Sequence, residues 1–122
     1  MRILVAEDEP MLLKTIELKL KKEGYEVIAT SDGRQALIEI EGSNPDLVIT
    51  DIMMPYASGL EIISLVRQKI TRKIPIIMLT AMEQEKVVME AFELGADDYI
   101  TKPFSLNELL IRVKRLLSRA PS

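Results

Sequence analysis

Three short stretches of this chain, Ile3–Ala6, Leu47–Ile49 and Ile76–Leu79, are apolar at every position. A strand with one wet face alternates apolar and polar residues. One that is apolar throughout has both faces covered, as in a parallel sheet held between two layers of helices. The intervening segments read as those helices. After Pro10, Leu12, Leu13, Ile16 and Leu20 recur at helical spacing up to Gly24. Tyr25–Ala29 is predicted as a second strand, and Ser31-Asp32-Gly33 opens a helix through Ala36, Leu37 and Ile40. Asn44-Pro45-Asp46 leads into the third strand, which ends at Asp51. Met54-Pro55-Tyr56-Ala57-Ser58-Gly59 is a loop before a helix marked by Leu60, Ile63 and Val66. The fourth strand ends at Thr80. Val87, Val88, Ala91 and Phe92 define the next helix, stopped by Gly95. Tyr99-Ile100-Thr101 is a short fifth strand. Ser105-Leu106-Asn107-Glu108 then forms a capping box before a helix with Leu109, Leu110, Val113, Leu116 and Leu117 inward.

Five strand–helix alternations fill 122 residues. Right-handed crossovers then predict an α/β three-layer sandwich, a (βα)5 doubly wound fold with one parallel five-stranded sheet. A chain of this mass folds to roughly 6,600 Å² of exposed surface from about 20,000 Å², enough burial to need no covalent staples. Residues 1–118 are expected to form the domain, with Arg119-Ala120-Pro121-Ser122 the start of a linker or C-terminal tail.

Cysteine and histidine are both absent. This excludes disulfides, thiolate and imidazole metal sites, Ser-His-Asp hydrolysis and a phosphohistidine on this chain. The net charge of -3 argues against nucleic-acid binding by the domain itself. No apolar stretch reaches membrane-spanning length and no signal peptide is visible, so the expected compartment is the cytoplasm.

The residues that follow each apolar run carry the chemistry. They are Glu7-Asp8, Asp51, Thr80 and Thr101-Lys102. In a parallel sheet these ends share one edge, and ligands bind there at the point where strand order reverses. In the flavodoxin-like order 2-1-3-4-5, that point lies between Glu7/Asp8 and Asp51. Two carboxylates about 5 Å apart repel by roughly 3 kcal/mol at an effective dielectric near 20. Three beside a single lysine need a cation or protons. An all-oxygen set suits a hard divalent ion such as Mg2+. A carboxylate beside Mg2+, a lysine and a hydroxyl is a plausible phosphoryl acceptor. Taken singly these residues have blander readings: Thr80, with Glu83 three residues on, also fits a helix-start cap.

Glu7-Asp8-Glu9-Pro10, Asp51 with Met54-Pro55 and Gly59, Thr80-Ala81, and Tyr99-Ile100-Thr101-Lys102-Pro103-Phe104 together resemble the receiver domain of bacterial two-component response regulators. The resemblance runs over essentially the whole chain. It implies that Asp51 is the phosphoacceptor for a partner histidine kinase, and that Asp8, Asp51 and the Met53 backbone carbonyl hold Mg2+. Glu7 stands where aspartate is commoner in that family, and would act on the metal directly or through water. Lys102 would contact the phosphoryl oxygens, Thr80 would hydrogen-bond one of them, and Tyr99 would be the switch aromatic that turns inward. The Lys102–Pro103 bond is expected to be cis. Met53 and Met82, two positions beyond Asp51 and Thr80, line the approach of hydrolytic water in such domains and would slow loss of the phosphoryl group. The chain would act as a switch, not as an enzyme with an external substrate.

The last third is similar to the subclass that carries a winged-helix DNA-binding domain and controls transcription. That likeness implies a phosphorylation-dependent homodimer through the fourth helix, fifth strand and fifth helix, with Asp97, Asp98, Glu108 and Arg112 as interface charges. Val88 stands where that subclass usually has a basic residue facing Glu108. Three alternatives are weighed against this reading. A haloacid dehalogenase-type phosphatase would want an acid at the Met53 position. A flavin-binding carrier would want a hydroxyl- and glycine-rich loop in place of Glu7-Asp8-Glu9. A pseudo-receiver would only bind partners.

Overall fold

The computed structural model describes residues 1–54, 58–69, 73–81 and 85–118. The expectations for Pro55, Tyr56, Ala57, Met82, Glu83 and the 119–122 tail lie outside the described residues. The elements alternate throughout: β1 (Arg2–Ala6), α1 (Pro10–Lys22), β2 (Glu26–Thr30), α2 (Gly33–Ser43), β3 (Leu47–Asp51), α3 (Gly59–Lys69), β4 (Ile76–Thr80), α4 (Glu85–Leu94), β5 (Asp98–Thr101) and α5 (Leu106–Leu117). All strand pairs are parallel, in the order β2-β1-β3-β4-β5. This is the flavodoxin-like sandwich.

Alternate residues along the central strands feed two separate cores. Leu4, Ala6, Val48, Ile76 and Met78 pack against Ala36 and Ile40 of α2, Ile62, Ile63 and Val66 of α3, and Ala91 of α4. Ile3, Val5, Leu47, Ile49, Ile77 and Leu79 face the other way, onto Ile16 and Leu20 of α1 and Leu109, Val113 and Leu116 of α5. Every residue of β3 and β4 is buried, which is why these runs have no polar phase.

Local chemistry sets the element ends. Pro10 takes the first turn of α1, where a missing N–H costs nothing. Asp32 caps α2 by accepting from the Gln35 N–H at 2.8 Å, and Ser105 caps α5 by accepting from the Glu108 N–H at 3.0 Å. The Glu108 carboxylate is turned toward Arg112 Nη2, 3.5 Å away, instead of back to the cap as the box predicts. Gly95, at φ +119°, ends α4 in the left-handed region. β2 begins one residue later than the sequence suggests, because the Tyr25 N–H donates to the Leu20 carbonyl at the end of α1. The strand's first amide is then that of Glu26, which donates to the Met1 carbonyl. No helix of the described residues is long and apolar enough to cross a membrane.

Candidate phosphoacceptor site

The carboxyl ends of β1, β3, β4 and β5 meet at one edge of the sheet, and the side chains that follow them converge there. Glu7 is fully buried, Asp51 nearly so, and Asp8 is exposed. One carboxylate oxygen from each lies within 4.8 Å of the others. Lys102 joins two of them: its Nζ donates to Glu7 Oε1 at 2.7 Å, to Glu7 Oε2 at 3.2 Å and to Asp51 Oδ2 at 2.7 Å. The other Asp51 oxygen, Oδ1, accepts from the Met53 N–H at 3.3 Å. The Lys102 N–H donates to the Thr80 carbonyl at 2.7 Å, which anchors the turn after β5 to the end of β4. The Lys102–Pro103 bond is cis, as expected.

Three acids against one lysine leave an imbalance that the protonation of the site reflects. Burial, then the hydrogen bond and negative charge of Asp51, push the Glu7 carboxyl from 4.5 up to about 8, against the opposing pull of Lys102. Burial works against the charge on Lys102, but its hydrogen bonds and charge attraction to Asp51 and Glu7 outweigh that, and its pKa rises. The cluster is therefore an oxygen-only donor set with charge to spare. That chemistry fits a small hard dication that keeps several waters of its own.

The start of α3 returns to the end of β3. The Gly59 N–H donates to the Ile52 carbonyl at 2.7 Å. A Cβ at Gly59 would lie 2.4 Å from the Asp51 carbonyl oxygen and 2.8 Å from Ile52 Cα. The start of α3 is thus seated directly on the backbone of Asp51.

The geometry and the sequence comparison agree. The response regulator receiver domain family matches residues 3–114. This chain is a member of that family. The receiver domain is 43% identical over 119 residues to the alkaline phosphatase synthesis transcriptional regulatory protein PhoP of Bacillus subtilis (strain 168), covering 98% of this chain and 49% of that protein. It therefore spans about half the length of that curated relative. Among solved structures, the receiver domain of the Francisella response regulator 1452 superimposes with a TM-score of 0.88 at 36% identity, covering 97% of each chain. The BeF3-activated N-terminal receiver domain of Klebsiella pneumoniae RstA gives 0.88 at 30% identity, covering 98% of this chain and 100% of that one. Family membership removes the dehalogenase-type and flavin-carrier alternatives.

The remaining expected residues lie at the end of β4, on and just before β5, and on α5. Thr80 is buried at the end of β4, and its hydroxyl donates to the Ala81 carbonyl at 3.2 Å. Tyr99 is 39% exposed on β5. All four charges expected at a dimer face have partners within the chain. Asp97 Oδ2 accepts from Arg67 Nη2 at 2.9 Å and from the Ile76 N–H at 2.8 Å. Asp98, nearly buried, accepts from Arg112 at 2.6 Å and Arg115 at 2.8 Å. Glu108 is exposed beside Arg112, and Val88 packs half-buried against the core under α4. Sequence reasoning missed Arg67 and Arg115. Arg115, three residues after Arg112 on the same helix face, carried a readable signal. Arg67 carried none, because its partners Gly95 and Asp97 come from a different element.

Proposed function

We propose that this receiver domain is a phosphorylation switch in which Asp51 takes a phosphoryl group from a histidine on a partner sensor kinase. The observation that carries the reading is Lys102, bridging Asp51 and Glu7 at 2.7 Å each within the three-carboxylate cluster. In the transfer, an Asp51 oxygen forms the new P–O bond as the P–N bond to the donor imidazole breaks. The imidazole nitrogen keeps the electron pair and takes up a proton. Asp8, Asp51 and the Met53 carbonyl would hold Mg2+, with Glu7 in contact directly or through water, and the ion would supply positive charge against the transferring oxygens. Lys102 stays with the acceptor and neutralises one of those oxygens. The Thr80 hydroxyl turns from Ala81 to donate to another, and Tyr99 moves inward behind it. No external substrate is turned over: the domain catalyses its own phosphorylation and slow dephosphorylation.

The output is read on the face of α4, β5 and α5. The relative's description as a transcriptional regulatory protein supports control of transcription, with DNA contacted by a part of the regulator other than residues 1–118. A phosphorylation-dependent homodimer through the same face would use Glu108 and Arg112 and would exchange the internal partners of Asp97 and Asp98. Surface pairs of this kind contribute little individually, so the apolar surface between them would carry the association. The cytoplasm is the compartment in which a kinase would present its phosphohistidine.

The test is incubation with Mg2+ and acetyl phosphate, read by intact mass. A gain of one phosphoryl group is expected, lost in Asp51→Asn and lost on chelation of the metal. No gain in the unaltered protein would instead assign it to the partner-binding pseudo-receivers.

A further inference from the structure

Phe92 of α4 meets Tyr99 of β5 edge-on, with ring centroids 5.6 Å apart and planes at 82°. The sequence places Phe92 on the inward stripe of α4, yet it is 42% exposed. The helix is anchored without it, through buried Ala91 and the partly buried Val87 and Val88. Next to the pair, a cavity of about 290 Å³ is lined by Tyr99, Thr80, Val88 and Thr101. The tyrosine ring therefore has two possible seats: against the edge of Phe92, or in the space toward Thr80.

We propose that Phe92 is a positioning residue that latches Tyr99 outward and so sets how often the inward seat is occupied. The proposal rests on the reading of Thr80 and Tyr99 as the switch pair. An edge-to-face pair shifts an equilibrium by roughly two- to twelve-fold. Removing it should raise the inward population by that factor. Any ligand that favours the inward state should bind tighter by up to the same factor.

The test uses Phe92→Ala and Phe92→Leu, the leucine keeping apolar bulk on α4 while removing the ring. Nuclear Overhauser contacts between the Tyr99 ring and the Thr80 methyl are measured without ligand, and beryllofluoride affinity is measured with Mg2+. Both variants should strengthen the Tyr99–Thr80 contacts and tighten beryllofluoride binding roughly two- to twelve-fold. The gain in affinity should vanish in a Tyr99→Ala background, a non-additivity that simple loosening of α4 would not produce. Unchanged contacts in both variants, or an equal gain without Tyr99, would overturn the latch. Failure of the unaltered protein to bind beryllofluoride would count against the phosphoacceptor reading instead, while the ligand-free contacts still decide the latch.

Discussion

Glu7 is the carboxyl of the site whose proton affinity the fold raises, through burial and Asp51. Its carboxyl titrates near 8 in the fold and at 4.5 unperturbed. Between those values the native state binds more protons than the unfolded chain. Stability of the metal-free protein should therefore fall as pH rises from about 4.5 through 8. A cation needs the carboxylates ionised, so Mg2+ affinity should rise over the upper part of the same window, by up to roughly tenfold per pH unit. Titration calorimetry at pH 6, 7 and 8 checks this. Glu7→Gln, which keeps the shape and an acceptor for Lys102, should flatten the dependence. A slope unchanged in that variant would place the proton elsewhere. Met53 poses a second question at this scale. The residue is 59% exposed, its N–H donates to Asp51 Oδ1, and its thioether has no strong hydrogen-bonding group to orient water. In phosphorylated protein, Met53→Asn should hasten loss of the phosphoryl group by roughly fivefold, the effect of one hydrogen bond of about 1 kcal/mol. An unchanged decay rate would dismiss the methionine as a barrier.

Two glycines show how elements hold the residues of the site. Gly59 begins α3 against the backbone of Asp51, where an added methyl group has nowhere to go. Gly42, near the end of α2, has nothing within 4 Å of its missing Cβ. The same substitution should therefore have opposite signs. Gly59→Ala is expected to destabilise by about 1–3 kcal/mol, because the β3–α3 connection must shift. Gly42→Ala is expected to stabilise by about 0.5–1 kcal/mol, the helical preference of alanine over glycine. Urea unfolding measures both, and destabilisation by both would refute the distinction. Both glycines are plain in the sequence. Their difference is not, since it depends on what another element places beside each Cα.

For the whole molecule, the two cores share one sheet, so β1, β3 and β4 are covered on both sides while β2 at the edge is only partly buried. Opening β3 or β4 exposes both cores at once, and should cost nearly the full unfolding free energy. Native-state hydrogen exchange should find the slowest amides in β1, β3 and β4, with faster exchange in β2 and α4. Equally slow exchange in β2 would mean the edge is protected by something other than packing.

Apolar runs, helical spacing and turn residues made the layers and the shared edge of Glu7, Asp8, Asp51, Thr80 and Lys102 legible, because burial on two faces leaves a mark that needs no partner to be read, whereas the strand order came only with the likeness to the flavodoxin-like fold. The capping of α2 and α5 was legible for the same reason: donor and acceptor lie three residues apart. What tertiary contact alone decided is how each group is used. Burial and Asp51 raise the proton affinity of Glu7, Lys102 is divided between two acids, and Asp97 is drawn to Arg67 across the fold. Phe92 is left at the surface against Tyr99. Each of these depends on distances between residues far apart in the chain, and only the packed molecule sets those distances.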